Sequence, residues 1–101
     1  MKNFRTYHLA VEFYRVAIRL QLPRHLKEQL LRAASSIVLN LAEGSGRESR
    51  LEQKRFFTIA FGSLRESQAI LDLANEGKEE AAQYADKLAA HVFRLIKHLS
   101  G

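Results

Sequence analysis

The chain has 101 residues, 47% of them hydrophobic and 27% charged, with a formal net charge of +5 and no cysteine. That length supports one core, so a single domain over residues 1–101 is expected, and the missing thiols exclude disulfide staples, thiolate zinc sites and cysteine nucleophiles. No run is apolar enough to cross a bilayer, and the opening MKNFRTYH lacks the apolar centre of a secretion signal, which leaves a cytoplasmic location as the default.

The charge is uneven. Residues 1–55 carry eleven Lys/Arg against five Asp/Glu, a net of +6, and residues 56–101 carry five against six, a net of −1. An excess of cations concentrated in one half suits a polyanion, nucleic acid above all, although solubility alone also accounts for a basic surface. β-branched residues are sparse and no alternation is visible, so strands are not expected. The punctuation divides the chain into four helices at roughly 4–21, 24–43, 49–76 and 79–99, an all-α, up-and-down bundle.

In the first helix Arg5, His8, Glu12, Arg15 and Arg19 recur at steps of three and four, a narrow polar stripe on an otherwise apolar surface. A surface helix ordinarily shows the reverse, an apolar stripe on a polar surface. More than one side of this helix should therefore be covered, and a second subunit would supply the extra cover.

Pro23 suits a helix start, where its missing N–H costs nothing. In the second helix the stretch RAASSIVLNLAEGSGR places Arg32, Ser36, Asn40, Glu43 and Arg47 along one polar stripe among alanine, isoleucine, valine and leucine. Asn40 follows Leu30, Ala33 and Ile37 at heptad-like spacing, so its amide needs a partner and has the character of a register-fixing group. Glu43 falls at the negative end of the helix dipole, where a carboxylate calls for a cation; Arg47 or Arg50 can reach it and clasp the hairpin. Gly44 is expected to end the helix as a left-handed residue, with Gly46 completing the turn.

Ser49 and Glu52 have capping-box spacing at the start of the third helix, in competition with Ser45 and Glu48. Phe57, Ala60, Leu64, Leu71 and Ala74 form a core seam, and Phe56, Ile59, Ile70 and Leu73 a neighbouring one interrupted by Gly62, Ser63 and Glu66. A glycine inside a helix costs about 1 kcal/mol relative to alanine, so Gly62 is expected to admit another backbone, facing Leu30 to Ala33 across an antiparallel hairpin. The fourth helix has the cleanest heptad, Ala81, Ala85, Leu88, Val92, Leu95 and Leu99, which reads as core.

Catalytic chemistry finds little support in these residues. His8 and Glu12 lack further ligands, His91 and His98 are two turns apart, and His25 lies in a short connection facing solvent; no metal or cofactor is expected. Gly44-Ser45-Gly46-Arg47 follows a helix and lacks the Lys-Ser/Thr ending of a phosphate loop, which argues against nucleotide hydrolysis. The N–H groups opening the third helix, flanked by Arg47, Arg50 and Lys54, could still receive a phosphate, while Glu48 and Glu52 offer the simpler reading of a solvated, neutralised face.

RAASSIVLNLAEGSGR and FFTIAFGSLRES, together with the aromatic first helix from Phe4 to Leu20, resemble the small bacterial four-helix bundle proteins found in intervening sequences of ribosomal RNA genes. That family is related to the accessory variability proteins of diversity-generating retroelements. The resemblance rests on Arg32, Ala33, Ala34, Ser36, Ile37, Asn40, Ala42, Glu43, Gly44, Gly46 and Arg47, and on Phe56, Phe57, Ala60, Gly62, Ser63, Leu64 and Glu66. It implies a bundle assembling into a homopentameric ring and, in the retroelement branch, a basic surface that engages nucleic acid and a reverse transcriptase.

The expectation is a non-enzymatic oligomer that binds RNA or DNA through phosphates, with Arg5, Arg15, Arg19, Arg47, Arg50, Lys54 and Arg55 as contacts. Asn40, Glu43, Gly44, Gly46, Gly62 and Glu66 are its structural residues. The alternative is a protein–protein scaffold or adaptor without nucleic-acid binding.

Overall fold

A computed structural model describes residues 4–75 and 79–100; Gly77 and Gly101 lie outside the described residues. Four helices form, α1 (Arg5–Arg19), α2 (Arg24–Ser45), α3 (Arg50–Leu73) and α4 (Glu80–Ser100), and no strand occurs among the described residues. Each helix packs on its two neighbours, α1 on α2 and α4, and α3 on α2 and α4, in an envelope of 40 × 21 × 20 Å. Successive helices run antiparallel: Ser36 meets Ser63, Arg50 reaches His98, and Gln68 meets Asp86. One end of the bundle therefore gathers the start of α1, the α2–α3 turn and the end of α4.

The core takes Phe13, Val16 and Ala17 from α1, Leu30, Ile37 and Leu41 from α2, Phe57, Ala60, Leu64 and Leu71 from α3, and Ala81, Ala85, Leu88 and Val92 from α4. The heptad read in the fourth helix is thus core for its first four members, while Leu95 and Leu99 are half-buried toward the helix end. In α3 the first seam is largely buried. The second is mostly surface, with Ile59 and Leu73 exposed and only Ile70 reaching the core.

The helix ends follow local chemistry. Ser49 is the N-cap of α3, its Oγ accepting from the Glu52 amide at 3.1 Å, so this frame prevails over Ser45–Glu48. The Glu52 carboxylate turns outward to Arg55. The third helix stops at Leu73, three residues earlier than its expected end, because Asn75 adopts φ 63°, the left-handed conformation that terminates helices and that asparagine tolerates. At the close of α1, Lys27 donates to the carbonyls of Ile18, at 2.6 Å, and Leu20. An ammonium there satisfies carbonyls that the helix itself leaves unpaired.

Neither Gly44 nor Gly62 has the role expected of it. Gly44 does not end α2 in a left-handed conformation: no described glycine has positive φ, and the helix continues through Ser45. Gly44 is buried instead, and a Cβ there would lie 2.6 Å from Phe57 Cε1 and 3.1 Å from Phe56 Cβ. Gly62, expected to admit a backbone, is exposed and has no such neighbour within 4 Å. The close approach lies at the turn end of the hairpin. Its register also differs from expectation, since Ser63 faces Ser36, about one turn beyond the Leu30–Ala33 segment.

Candidate nucleic-acid interface

The basic residues of the hairpin are held by three kinds of contact. Arg47 Nη2 lies 2.6 Å from Glu43 Oε2, a local pair four residues apart at the end of α2 rather than a link across to α3. The Arg47 guanidinium also lies 5.0 Å from the Phe56 ring centroid, and that of Arg55 lies 5.2 Å from the same ring. Arg55 pairs with Glu52 at 3.5 Å. Each carboxylate engages only part of a five-donor guanidinium, so donors remain for an incoming anion. Arg50 takes a different partner, donating from Nη2 to His98 O at 2.8 Å across the end of α4, where a cation complements the helix dipole.

Lys54 is half-buried and Arg5 exposed on this same end, Arg5 one residue from Phe4, whose ring lies 6.1 Å from that of Phe57. Among the described residues, Arg5, Lys54, Lys87, Arg94 and Lys97 form no ion pair. Five of the seven sequence-derived contacts, Arg5, Arg47, Arg50, Lys54 and Arg55, therefore converge. Arg15 and Arg19 do not: they lie toward the other end of α1, and fourteen residues of helix put Arg19 about 20 Å along the axis from Arg5. Arg15 bonds Glu12 at 3.0 Å, and Arg19 occupies the last turn of α1, where its charge complements the dipole.

Arg94 and Lys97 of α4 join this end, and Lys87 lies about two turns farther along the helix. Lys87, Arg94 and Lys97 were not singled out, because the second half of the chain is net negative. Folding separates the two signs: Glu66, Asp72, Glu79, Glu80 and Asp86 lie in the second half of α3, before α4 or in its first turns, whereas no Asp or Glu follows Asp86. The recurrence of Lys87, His91, Arg94 and His98 at steps of four, three and four was the available signal. His91 is half-buried, and its pKa is lowered below the ordinary histidine value by burial first, then by the nearby charges of Arg94, Arg5 and Lys87.

The structural residues divide into internal and exposed groups. Asn40 Nδ2 donates to Ser36 O at 2.8 Å and to Ser36 Oγ at 3.1 Å, and Ser36 Oγ meets Ser63 Oγ at 2.8 Å, so a polar relay joins α2 to α3. Ser67, fully buried, donates to Ser63 O at 3.0 Å. Gly46 caps α2, its amide directed at Glu43 O. Glu66 is exposed.

Two further concavities are present. Between α3 and α4 a polar cleft of about 370 Å³ is lined by Arg65, Gln68, Asp72 and Asp86 among others. Its groups bond one another, Arg65 to Gln68 Oε1 and Gln68 Nε2 to Asp86 Oδ1, each at 3.0 Å. Between α1 and α2 an apolar groove of about 160 Å³ is lined by Val11, Tyr14, Ser35, Val38 and Leu39. Among the described residues no group of three His, Cys, Asp or Glu could hold a metal ion, and no helix is long and apolar enough to cross a membrane.

A family model described as 23S rRNA-intervening sequence protein matches residues 4–101, which span all four helices, the hairpin and the relay. The chain belongs to that family. No curated protein and no solved structure matches it. Asn40, Glu43, Gly44 and Ser63, which carried the resemblance, lie at or near the α2–α3 contact.

Proposed function

We propose that the protein is a non-catalytic, self-associating four-helix bundle that binds nucleic acid through its phosphate backbone at the basic end. The observation that carries this reading is the convergence, from α1, α3 and α4, of cations without a carboxylate partner among the described residues, beside guanidiniums held against Phe56. Exposed cations of this kind contact phosphates, so affinity should depend steeply on salt and little on sequence. The reverse transcriptase implied by the retroelement resemblance would then be a second partner on the shared nucleic acid.

Fluorescence anisotropy with a short labelled single-stranded RNA tests the reading. Lys54→Gln and Arg55→Gln should each weaken binding evenly across sequences and reduce the slope of log affinity against log salt by about 1. Absence of binding at low salt would overturn it.

The scaffold alternative draws on a separate observation, the apolar groove between α1 and α2 and the adjoining exposed Ile18. A protein partner captured in pull-downs after nuclease treatment and at high salt would favour it.

A further inference from the structure

The stripe Lys87–His91–Arg94–His98 runs along one flank of α4, beside the buried Leu88 and Val92. The opposite flank faces α3, where Phe93 meets the Phe61 ring and Asp86 accepts from Gln68. The stripe accordingly faces α1, whose Arg5 is near enough for its charge to act on His91. Every charge that registers at His91 is a cation: Arg94 and Lys87 on its own helix, Arg5 on the neighbour. Of the carboxylates on the adjoining elements, Glu12 of α1 pairs with Arg15, Glu52 of α3 with Arg55, and Asp86 of α4 accepts from Gln68; Glu66 and Asp72 of α3 and Glu80 of α4 are not among the charges that act on His91. His8 of α1 and Lys54 and Arg50 of α3 add no negative charge, and Arg50 is committed to His98 O.

Like charges gathered on one flank repel, and a bound polyanion relieves that repulsion. Successive members of the stripe rise about 5 Å along the helix, so the cations form a line. Arg50, anchored on the His98 carbonyl, joins that line to the hairpin.

We propose that Arg5, Lys87, His91 and Arg94 form a phosphate-binding track on the α1–α4 flank, continuous with the basic end, which holds a nucleic-acid backbone more tightly when His91 is protonated. The proposal rests on the nucleic-acid reading above and adds to it a site and a proton linkage. In the free protein partial burial first, and then the three cations, keep His91 neutral to lower pH than an ordinary histidine. A phosphate over the site cancels the repulsion and favours the imidazolium, so binding takes up a proton from solvent. Affinity therefore rises as pH falls, by at most about tenfold per pH unit for one proton.

The test is RNA anisotropy between about pH 8 and about pH 5.5, the range over which histidine charges. The parent protein should bind several-fold tighter at the acid end. His91→Gln should remove that gain, while His98→Gln should retain it. Lys87→Gln and Arg94→Gln should weaken binding at both ends and each lower the salt slope by about 1. Circular dichroism of each variant at both ends of the pH range checks that the bundle persists. A full pH response in His91→Gln, or parental affinity in Lys87→Gln and Arg94→Gln, would overturn the track. If Lys54→Gln and Arg55→Gln weaken binding in that same case, the hairpin reading stands without it; if the parent binds RNA at neither pH, both fall.

Discussion

Gly44 and Gly62 show how one residue type serves two unrelated ends. At Gly44 the backbone is ordinary right-handed helix, so only space forbids a side chain: an added Cβ would sit 2.6 Å from an aromatic carbon of the buried Phe57. Gly44→Ala should therefore cost about 1–3 kcal/mol, the range for overpacking a well-filled site, and lower the thermal midpoint. Gly62→Ala should act in the opposite sense. Its position is helical, exposed and open, so a methyl group there should add about 0.5–1 kcal/mol by restraining the unfolded chain and improving helix propensity. Paired thermal melts decide the matter, and equal effects from the two substitutions would refute the assignment. The sequence shows both glycines equally plainly. Which one meets another helix depends on axial register, and composition within a single helix does not carry that information.

At the scale of elements, the α2–α3 hairpin combines apolar packing with the relay Asn40–Ser36–Ser63 and the adjoining Ser67. No buried side-chain polar atom lacks a partner among the described residues, so this chain of hydroxyls and an amide does not leave a polar group stranded. The Ser36–Ser63 contact joins the two helices, whereas Asn40 bonds within α2. A double-mutant cycle on Ser36→Ala and Ser63→Ala should give a coupling of about 0.5–1.5 kcal/mol in urea unfolding. Asn40→Ala with Ser63→Ala should couple more weakly, and equal coupling in the two cycles would sink this account. That Asn40 needs a partner could be read from its place among Leu30, Ala33 and Ile37; that the partner is Ser36 of its own helix could not. The helices themselves were legible because caps and heptads are local, as Ser49 with Glu52 and the Ala81–Val92 seam show. Basic α4 was overlooked for a different reason: dividing the chain by residue number mixed Arg94 and Lys97 with acids that folding places at the far end.

Across the whole molecule, the cationic end and the apolar groove are different surfaces with different demands. Leu39, 66% exposed, and Ile18, 46% exposed, flank half-buried Val11, Tyr14 and Val38. An apolar strip of this kind on the α1–α2 side fits the extra cover that the first helix calls for. We therefore expect Leu39→Glu and Ile18→Glu to lower the mass measured by light scattering, with little loss of protomer helicity, since neither side chain belongs to the core. A parent protein that is monomeric at micromolar concentration would remove the basis for self-association. RNA affinity per protomer should then fall in the dissociated variants only to the extent that several basic ends act on one strand.

The seat of Gly44 against Phe57 also works as a key. Every other residue of α2 carries a Cβ, and the next glycine, Gly46, lies beyond the helix end. Sliding α2 by one turn in either direction would bring Asn40 or Leu41, or the residues beyond the helix, to the place that only hydrogen can occupy. One notch thus admits a single axial position. The exchange of a side chain for a hydrogen atom sets the alignment of two long helices, and with it the distance at which the arginines of the turn stand from the end of α4.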